Sequence, residues 1–273
     1  MDKRNILITG GNGFIGSYLR NHFTNKFNIY APGHSVLDLT NAQSVDRFFE
    51  QHSIDIVIHC ALAGRDRINA VDSALATANL EMFSNLWRNR HHYKQLINMG
   101  TGNEFDTSTN IDCASEEVLY DHLPMASYGY AKNLVARICA STPGFTNIRL
   151  FGVFHHTENS KRFFKRLMDA TDESPFRIFQ DHYFDFVNIE DLAMVIDAVL
   201  DKQINDNDMN IVYAQKRLLS EHAYLFAEIH DIPQSRIIVE HRGSNNFTGS
   251  SLKIDRYQFP FVGLETGFKR YQA

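Results

Sequence analysis

The sequence predicts an α/β fold, in which a doubly wound parallel sheet carries helices on both faces and a small lobe follows towards the C-terminus. Short apolar runs typical of buried parallel strands alternate with segments of helical periodicity. The first of these runs leads directly into a glycine-rich turn and a helix. At 273 residues the chain is long enough for one large α/β domain, with or without a lobe.

The first strand and the turn after it suit a bound phosphate. Residues 6–8 are apolar and lead into Gly10, Gly13 and Gly16. Gly10 can take the sharp turn, Gly13 has no Cβ to keep the backbone from a pyrophosphate, and Gly16 lets the helix pack closely on the strand. A glycine triplet alone would also fit a plain turn, but the flanking strand and helix favour dinucleotide binding.

The helix after this turn begins at Phe14 and Ile15. The N–H groups of a helix's first turn have no partner within the helix, and the helix dipole favours an anion beside them. We therefore count Phe14 and Ile15, together with the three glycines, as candidate cofactor-binding residues.

Composition and charge exclude several classes of partner. Apolar residues make up 44% of the chain and charged residues 22%, as in globular proteins. The net charge of −5 gives no electrostatic reason to expect nucleic acid or an anionic membrane as a partner. No apolar run approaches the roughly 18 residues that a membrane span needs. The pairs His91-His92 and His155-His156 lack the spacing of metal ligands, so we predict no metal site.

The cysteines indicate a reducing compartment. Cys60, Cys113 and Cys139 are scattered and odd in number, which argues against a disulfide framework. Residues 1–4 lead into the first strand without the apolar core of a signal peptide. We therefore expect a cytoplasmic protein.

The second strand is predicted over residues 28–31 and ends at Pro32-Gly33. An acidic residue here would bind the ribose hydroxyls of NAD, whereas its absence beside a basic residue tolerates the 2′-phosphate of NADP. The stretch has no acid and contains His34, which favours NADP over NAD, although His34 would equally suit a solvated loop. Thr40 and Gln43 then have the spacing of a capping box at the start of a helix.

The third strand, residues 54–59, ends in small residues. Ala61 and Ala63 leave room for a ligand at the carboxyl edge of the sheet. Apolar residues then recur at a helical period from 70 to 87, with Asn79 near the middle. From the sequence alone, Asn79 suits the polar face of this helix.

A tyrosine and a lysine after the fourth strand, residues 96–102, carry the predicted chemistry. Residues four apart share a helix face, so Tyr128 and Lys132 project together. A phenol needs about 4 kcal/mol to bring its pKa from about 10 to about 7, and an ammonium about 4 Å away supplies about that much at an effective dielectric of 20. Thr101 would hold a substrate carbonyl or hydroxyl while Tyr128 transfers the proton and a nicotinamide carries hydride. Such pairs also arise by chance, but of eleven tyrosines only Tyr128 has one.

Together these motifs resemble the extended short-chain dehydrogenases/reductases, particularly the NAD-dependent epimerase/dehydratase group that acts on nucleotide sugars. Residues 147–154, 185–193 and 264–271 resemble later segments of that family. The resemblance implies a Rossmann-like fold that binds NAD(P) beside a nucleotide-sugar substrate. It places these further residues at the cofactor: Asp38, Leu39, Ala61, Ala63, Asn79 and Lys132. The resemblance implies that Asp38 contacts the adenine amino group and that Asn79 kinks or anchors its helix beside the site. Asp38 equally suits the approach to a helix without a ligand.

The resemblance also implies a homodimer. Helices 70–87 and 128–139 are similar to the pair that forms the family's four-helix bundle between subunits. A buried helix pair within one subunit would explain the same apolar stripes.

Two residues depart from the family pattern. Gly152 stands where many members carry an asparagine that contacts the substrate phosphates, and Phe184 stands where an arginine usually grips the nucleotide diphosphate. The loss of a bidentate arginine weakens the expectation of a standard sugar-nucleotide pose. Arg162, Arg166 and Arg177 are candidate substitutes, and each equally suits a solvated surface.

The residues after Thr101 narrow the implied reaction. The family's 4,6-dehydratases carry an Asp-Glu pair directly after the catalytic threonine, and members that epimerise at positions 3 and 5 before reduction carry a cysteine two residues past it. This chain has Gly102, Asn103 and Glu104 there. We therefore expect a 4-ketoreductase or a 4-epimerase. Two alternatives stay open: a reductase of a non-nucleotide carbonyl compound, and a protein that senses NAD(P) without chemistry.

The predicted domain bounds follow from these segments. The dinucleotide-binding domain takes residues 1–151 and 185–212, the substrate lobe takes 152–184 and 213–258, and a closing helix takes 259–273. Residues 243–250 are rich in Gly, Ser and Asn and are predicted to form a mobile loop.

Overall fold

The computed structural model describes residues 3–64, 73–243 and 245–271. The chain falls into two compact units, the first formed by Met1–Ser108, Glu117–Arg149 and Asn205–Met209, and the second by the remainder. Residues 185–204, which the sequence assigns to the dinucleotide-binding domain, lie in the second unit. Compactness does not report which segment binds a cofactor, so the functional bounds remain a prediction.

Strands and helices follow one another along the described chain. The strands are β1 (Asn5–Thr9), β2 (Asn28–Tyr30), β3 (Ile56–His59), β4 (Gln95–Thr101), β5 (Ile111–Ala114), β6 (Phe145–Leu150), β7 (Gly152–Phe154), β8 (Phe176–Asp181), β9 (Phe186–Asn188), β10 (Asp208–Asn210), β11 (Ile237–Arg242) and β12 (Phe247–Gly249). The helices are α1 (Phe14–Phe23), α2 (Ala42–Gln51), α3 (Ser73–Arg88), α4 (Ser127–Ser141), α5 (Phe163–Met168), α6 (Ile189–Leu200), α7 (Leu219–Ile229), α8 (Leu252–Asp255) and α9 (Gly263–Lys269).

The first unit is built on a six-stranded sheet in the order β10-β6-β4-β3-β1-β2. Strand β1 pairs in parallel with both β2 and β3, and β3 pairs in parallel with β4. The chain thus starts in the sheet next to one edge and crosses over to build outwards in both directions, as in a doubly wound fold. This arrangement confirms the predicted fold class.

The core of the first unit lies between this sheet and helices α2, α3 and α4. Val45 and Phe49 of α2 pack with Phe83 of α3 and Val135 of α4 against the strands. The predicted capping box at α2 is wrong. Asn41 caps the helix by accepting from the Ser44 N–H at 3.0 Å, because the Thr40 side chain is already bound elsewhere.

The second unit contains three two-stranded parallel sheets, β11-β8, β12-β5 and β7-β9. Its core is aromatic, and Phe154, Phe164, Phe226 and Phe268 pack on one another at ring centroid distances of 4.7–5.3 Å.

Two predictions for this unit are corrected. Residues 243–250 are not simply a mobile loop, because β12 lies within them, pairs with β5 and buries Thr248 completely. The closing helix is shorter than 259–273, because α9 spans only Gly263–Lys269. Pro260 keeps Phe259 out of the helix, since the residue before a proline avoids helical conformation; residues 272 and 273 lie outside the described chain.

Helices α3 and α4 of the first unit pack against each other within the chain. This contact accounts for apolar stripes on both helices, so the homodimer stays a prediction; residues 70–72 of the predicted first helix lie outside the described part. Within the described residues, no helix combines the length and apolarity that crossing a membrane requires. The same residues contain no group of three His, Cys, Asp or Glu side chains placed to hold a metal ion.

Buried polar side chains cross the sheet of the first unit near its carboxyl edge. His59 ends β3 beside Thr9 and Asn98 in the register, and its Nδ1 lies 2.8 Å from the Thr9 Oγ1. Asn98 donates to the Asn147 Oδ1 at 2.7 Å, and Asn147 donates to Asp208 at 2.9 Å. Because a buried polar group costs free energy unless it is hydrogen-bonded, these pairs fix the strand ends relative to one another.

We predict that His59 makes the fold sensitive to acid. Burial lowers its pKa from 6.5 to about 3, and the Lys132 ammonium acts in the same direction. The unfolded state therefore binds a proton before the folded state does, so this contribution to stability is complete above the unfolded pKa and is lost as pH falls towards the folded pKa. Between about pH 7.5 and 5 the free energy of unfolding should fall by about 2 kcal/mol from this residue. Urea unfolding at successive pH values should show that slope reduced in His59→Asn, and an unchanged slope would contradict the prediction.

Candidate active site

The glycine turn after β1 has the geometry of a phosphate cradle. Gly10 adopts φ +66°, and its carbonyl accepts from the Gly13 N–H at 2.8 Å. A Cβ on Gly10 would lie 2.7 Å from the Ala61 backbone nitrogen, and a Cβ on Gly16 would collide with the Gly10 carbonyl oxygen. Gly13 occupies the N-cap of α1 and supplies no capping side chain, so the helix starts at Phe14 with its N-terminus suited to an anion.

The loop after β2 brings the His34 ring close to the Asp38 carboxylate. The His34 Nδ1 lies 3.7 Å from the Asp38 Oδ1, and the His34 side chain is 81% exposed. The hydroxyl of Thr40 donates to Asp38 at 2.7 Å, and this hydrogen bond lowers the pKa of the carboxyl. Leu39 points into the core, and its carbonyl accepts from Asn85 at 2.9 Å. Asp38 thus stays on the surface while Leu39 anchors the loop.

Asn79 of α3 holds the loop that follows β3. Its side chain accepts from the Ala63 N–H at 3.1 Å and donates to the Ala63 carbonyl at 3.1 Å and to the Leu75 carbonyl at 2.7 Å. The Ala61 N–H donates to the Thr9 hydroxyl at 3.3 Å. Both small residues of the loop are therefore fixed by their backbone, and Asn79 acts here as the anchor rather than as part of a polar face.

Thr101 ends β4 and begins a short 3-10 turn, Gly102–Glu104. Its Oγ1 accepts from the Asn103 backbone N–H at 3.3 Å and from the Asn103 side-chain amide at 3.1 Å. Among the described residues the Thr101 hydroxyl donates its proton to no side chain or carbonyl. With the oxygen held by two donors, the hydroxyl hydrogen is left for a further acceptor, as a substrate oxygen would be.

The start of helix α4, which carries Tyr128 and Lys132, packs on this turn. A Cβ on Gly129 would collide with the Asn103 carbonyl oxygen, so glycine allows the start of α4 to approach the turn. Asn133 donates to the Glu104 carbonyl at 2.8 Å and ties the helix to the turn.

The two predicted catalytic residues of α4 differ in exposure. Tyr128 is half-buried. Lys132 is buried, and its Nζ donates to the Met99 carbonyl of β4 at 2.8 Å. Burial lowers the pKa of Lys132, and the Glu104 carboxylate acts in the opposite direction.

The structure adds a buried charged cluster that the sequence analysis missed. The Arg149 Nε donates to the Glu104 carboxylate at 2.7 Å, and its Nη2 donates to both Asp208 oxygens at 2.9 Å. Asn147 donates to both carboxylates at 2.9 Å. Burial raises the pKa of Glu104, although the Arg149 guanidinium acts to lower it. The available signal was an arginine between the apolar residues Ile148 and Leu150, which predicts a buried partner.

Gly152 and Phe184, the two residues that depart from the family pattern, lie in the aromatic core of the second unit. Phe184 is buried, with its ring 4.7 Å from that of Phe186, and a Cβ on Gly152 would lie 2.8 Å from the Phe184 ring. The candidate substitute arginines are already engaged. Their contacts are Arg162 with Glu158 at 2.9 Å, Arg177 with Glu240 at 3.1 Å, and Arg166 over the Phe176 ring at 5.4 Å.

A cavity of about 240 Å³ lies within the second unit. Asp185, Arg217, His222 and Glu265 are among its lining residues, and none of the predicted catalytic or cofactor-binding residues lines it. Burial raises the pKa of Asp185 to about 6, against the effect of Lys216. The cavity therefore carries no part of the predicted hydride-transfer chemistry.

We predict that Gly16→Ala damages the cradle. The new methyl group would meet a backbone oxygen, and overpacking of this kind costs about 1–3 kcal/mol. Gly33→Ala is the matched control, because a Cβ there meets nothing within 4 Å. Urea unfolding should show a loss of stability for Gly16→Ala alone, and titration should show weaker NADP⁺ binding for the same variant. Equal behaviour of the two variants would argue against the close approach.

Comparison with known proteins adds the family. The model of the NAD dependent epimerase/dehydratase family matches residues 6–212, about three quarters of the chain. No match was found among curated proteins.

Several solved structures are similar over nearly their whole length. A GDP-mannoheptose C4 reductase from Campylobacter jejuni with NADP bound has 19% identity and a TM-score of 0.83 over 98% of this chain and 97% of that one. A GDP-D-glycero-L-gluco-heptose synthase from the same organism, in the presence of NADPH, has 18% identity and a TM-score of 0.84 over 99% and 97%. UDP-glucose 4-epimerase from Thermotoga maritima has 20% identity and a TM-score of 0.77 over 98% and 97%. At these identities the likeness establishes the fold.

Proposed function

The chain belongs to the NAD-dependent epimerase/dehydratase family, and we propose that it is an NAD(P)-dependent oxidoreductase or epimerase of a nucleotide-linked sugar. The reaction is 4-keto reduction or 4-epimerisation. One observation carries the proposal: Thr101 keeps its hydroxyl proton available on a turn against which the start of α4, with Tyr128 and Lys132, packs through Gly129. A NAD(P)-sensing protein without chemistry would need none of these three side chains.

The cradle fits a dinucleotide. Gly10 and Gly16 let the turn pack backbone against backbone where a Cβ would collide, and Gly13 leaves the helix N-terminus uncapped by a side chain. The pyrophosphate would lie against the N–H groups at the start of α1, those of Phe14 and Ile15. When bound, the nicotinamide supplies or accepts hydride.

The chain's own residues handle the proton. Thr101 donates its hydroxyl hydrogen to the reacting oxygen of the sugar and so orients it. Tyr128 gives a proton to that oxygen in reduction and takes one in oxidation. Lys132 holds a positive charge on the same face of α4, which favours the phenolate form of Tyr128. In epimerisation both the oxidation and the reduction occur in one site. The 4-keto sugar rotates between the two steps, so that it is reduced from its other face.

We infer NADP rather than NAD as the cofactor. Strand β2 ends at Tyr30 and no acid follows it through Gly33. A Cβ on Gly11 would lie 2.7 Å from the Ala31 Cβ, so the glycine turn lies directly against the end of β2. The Arg20 guanidinium donates to the Asn12 side chain of this turn at 3.4 Å, and it is a better phosphate partner than His34, which already faces Asp38. Two of the similar structures contain NADP or NADPH.

The substrate class and the assembly rest on similarity. The similar reductases and the epimerase act on GDP- and UDP-linked sugars, which supports a nucleotide sugar here. The homodimer through α3 and α4 remains a proposal of the same kind. The cytoplasmic location is a proposal that rests on the scattered, odd-numbered cysteines.

We predict that Tyr128→Phe removes hydride transfer and leaves cofactor binding intact. Loss of a general acid or base costs about 10²–10⁴-fold in rate. Tyr130→Phe is the matched control, because Tyr130 is exposed and has Leu134 four residues later in place of a lysine. NADPH oxidation over a panel of 4-keto nucleotide sugars measures the rate, and NADP⁺ titration checks the site. Turnover by Tyr128→Phe at the wild-type rate would remove the proposed mechanism.

A reductase of a non-nucleotide carbonyl compound is the second candidate. Two observations favour this candidate. Phe184 is buried and carries no charge, and Arg162 and Arg177 already pair with carboxylates, so these residues offer no cation to a diphosphate.

Calorimetric titration decides between these substrate classes. The protein is first saturated with NADP⁺, so that only the substrate site reports, and is then titrated with GDP, UDP, CDP and dTDP. We expect one nucleoside diphosphate to bind, because the nucleotide supplies most of the contacts of a nucleotide sugar. Binding of none of the four would favour the non-nucleotide substrate.

A further inference from the structure

Glu104 is a fully buried carboxylate directly beside the predicted catalytic threonine, and the mechanism above gives it no role. Its Oε1 accepts from the Thr101 backbone N–H at 2.9 Å. Its Oε2 accepts from the Arg149 Nε at 2.7 Å and from the Asn147 side chain at 2.9 Å. One carboxylate therefore connects the turn that carries Thr101 to strand β6.

The far side of the carboxylate is held rigidly. Arg149 is 0% exposed, binds Asp208 through its Nη2 and lies over the Phe105 ring at 4.6 Å. A guanidinium that is bound by two carboxylates and stacked on a ring is held in a single orientation. The position of the Glu104 Oε1, and with it the Thr101 main chain, is thereby set from the interior of the sheet.

The geometry points to Glu104 as a positioning residue for Thr101: its carboxylate fixes the Thr101 main chain, and Asn103 then orients the hydroxyl. This inference rests on the proposed function for its kinetic consequence. Its structural consequence, an immobilised Thr101 N–H, does not.

Glu104 also provides the countercharge for Lys132. The groups that influence the charge of Lys132 include the Glu104 carboxylate, the Cys60 and Cys139 thiols and the His59 ring. Burial raises the pKa of Cys60 to about 12 and raises that of Cys139, so both thiols stay neutral. His59 is neutral above about pH 3. The carboxylate is therefore the charge that favours the ammonium, and its loss lets Lys132 deprotonate at lower pH.

Two matched substitutions separate positioning from stability. Glu104→Gln and Asp208→Asn each remove one negative charge from Arg149, but only Glu104 contacts Thr101. The glutamine amide has one acceptor oxygen, so whichever way it flips, its NH₂ group faces a donor, either the Thr101 N–H or Arg149 and Asn147. Asp208→Asn leaves the Glu104 contacts in place.

The experiment measures kinetics and main-chain protection in both variants at a temperature where both are folded. For Glu104→Gln we expect kcat to fall about 100-fold with NADP⁺ affinity retained, as for a misplaced reacting group, and the alkaline limb of the pH profile to move to lower pH. For Asp208→Asn we expect kcat within about threefold of wild type and an unshifted limb. Hydrogen exchange by NMR should show the Thr101 amide deprotected in Glu104→Gln alone.

The outcomes are separable. Wild-type kcat and Thr101 protection in Glu104→Gln, or equal losses in Asp208→Asn, would overturn the inference. If Tyr128→Phe kept full turnover, the proposed function would fail while the exchange measurement still decided the role of Glu104.

A second variant covers the case in which Glu104→Gln does not fold. Glu104→Met, Arg149→Met and Asp208→Asn together remove every charge of the cluster at similar volume, a replacement that proteins often tolerate. We expect this triple variant to fold and to show the same loss of kcat and of Thr101 protection. A folded triple variant with wild-type kcat would also overturn the inference.

Discussion

Close contact of backbone with backbone at the carboxyl edge of the sheet is the constraint on which the first unit depends. At Gly10 a side chain would strike the backbone at Ala61, at Gly16 it would strike the Gly10 carbonyl, and at Gly129 it would strike the Asn103 carbonyl. The first two contacts shape the cradle for a dinucleotide. The third brings α4 to the turn that carries Thr101, so the same constraint builds both halves of the candidate site.

Buried polar contacts hold these halves in register. Thr9 and His59 join β1 to β3, Asn98 and Asn147 join β4 to β6, and Arg149 joins β6 to Glu104. Such groups contribute little net stability but cost much when one partner is lost. A polar network beneath the site therefore gives a precise geometry at the expense of tolerance to substitution.

The sequence predicted the elements whose signal is local. The apolar runs, the glycine turn and the Tyr128–Lys132 spacing lie within short windows, so the fold class and the position of the candidate residues followed directly. Partners distant in sequence were not predictable in this way. Glu104 served only as an argument against dehydration. Its partner Arg149 lies 45 positions away, and the residues next to Glu104 in the sequence do not indicate an ion pair between the two.

Two local predictions, the capping box at α2 and the loop over residues 243–250, were wrong because other groups compete for the same hydrogen bonds. Thr40 and Gln43 have capping-box spacing, but Asp38 takes the Thr40 hydroxyl and Asn41 caps the helix. Residues 247–249 lie in a segment of loop composition, yet they pair with β5, more than a hundred positions earlier. In both places a hydrogen-bond partner outside the motif decided the structure.

A crystal structure of the protein with NADPH bound tests the proposed chemistry most directly. We expect the pyrophosphate on the N–H groups of Phe14 and Ile15, the 2′-phosphate beside Arg20, and the nicotinamide C4 facing the space between the Thr101 hydroxyl and the Tyr128 phenol. A nicotinamide ring placed away from those two hydroxyls would contradict the assignment of this site.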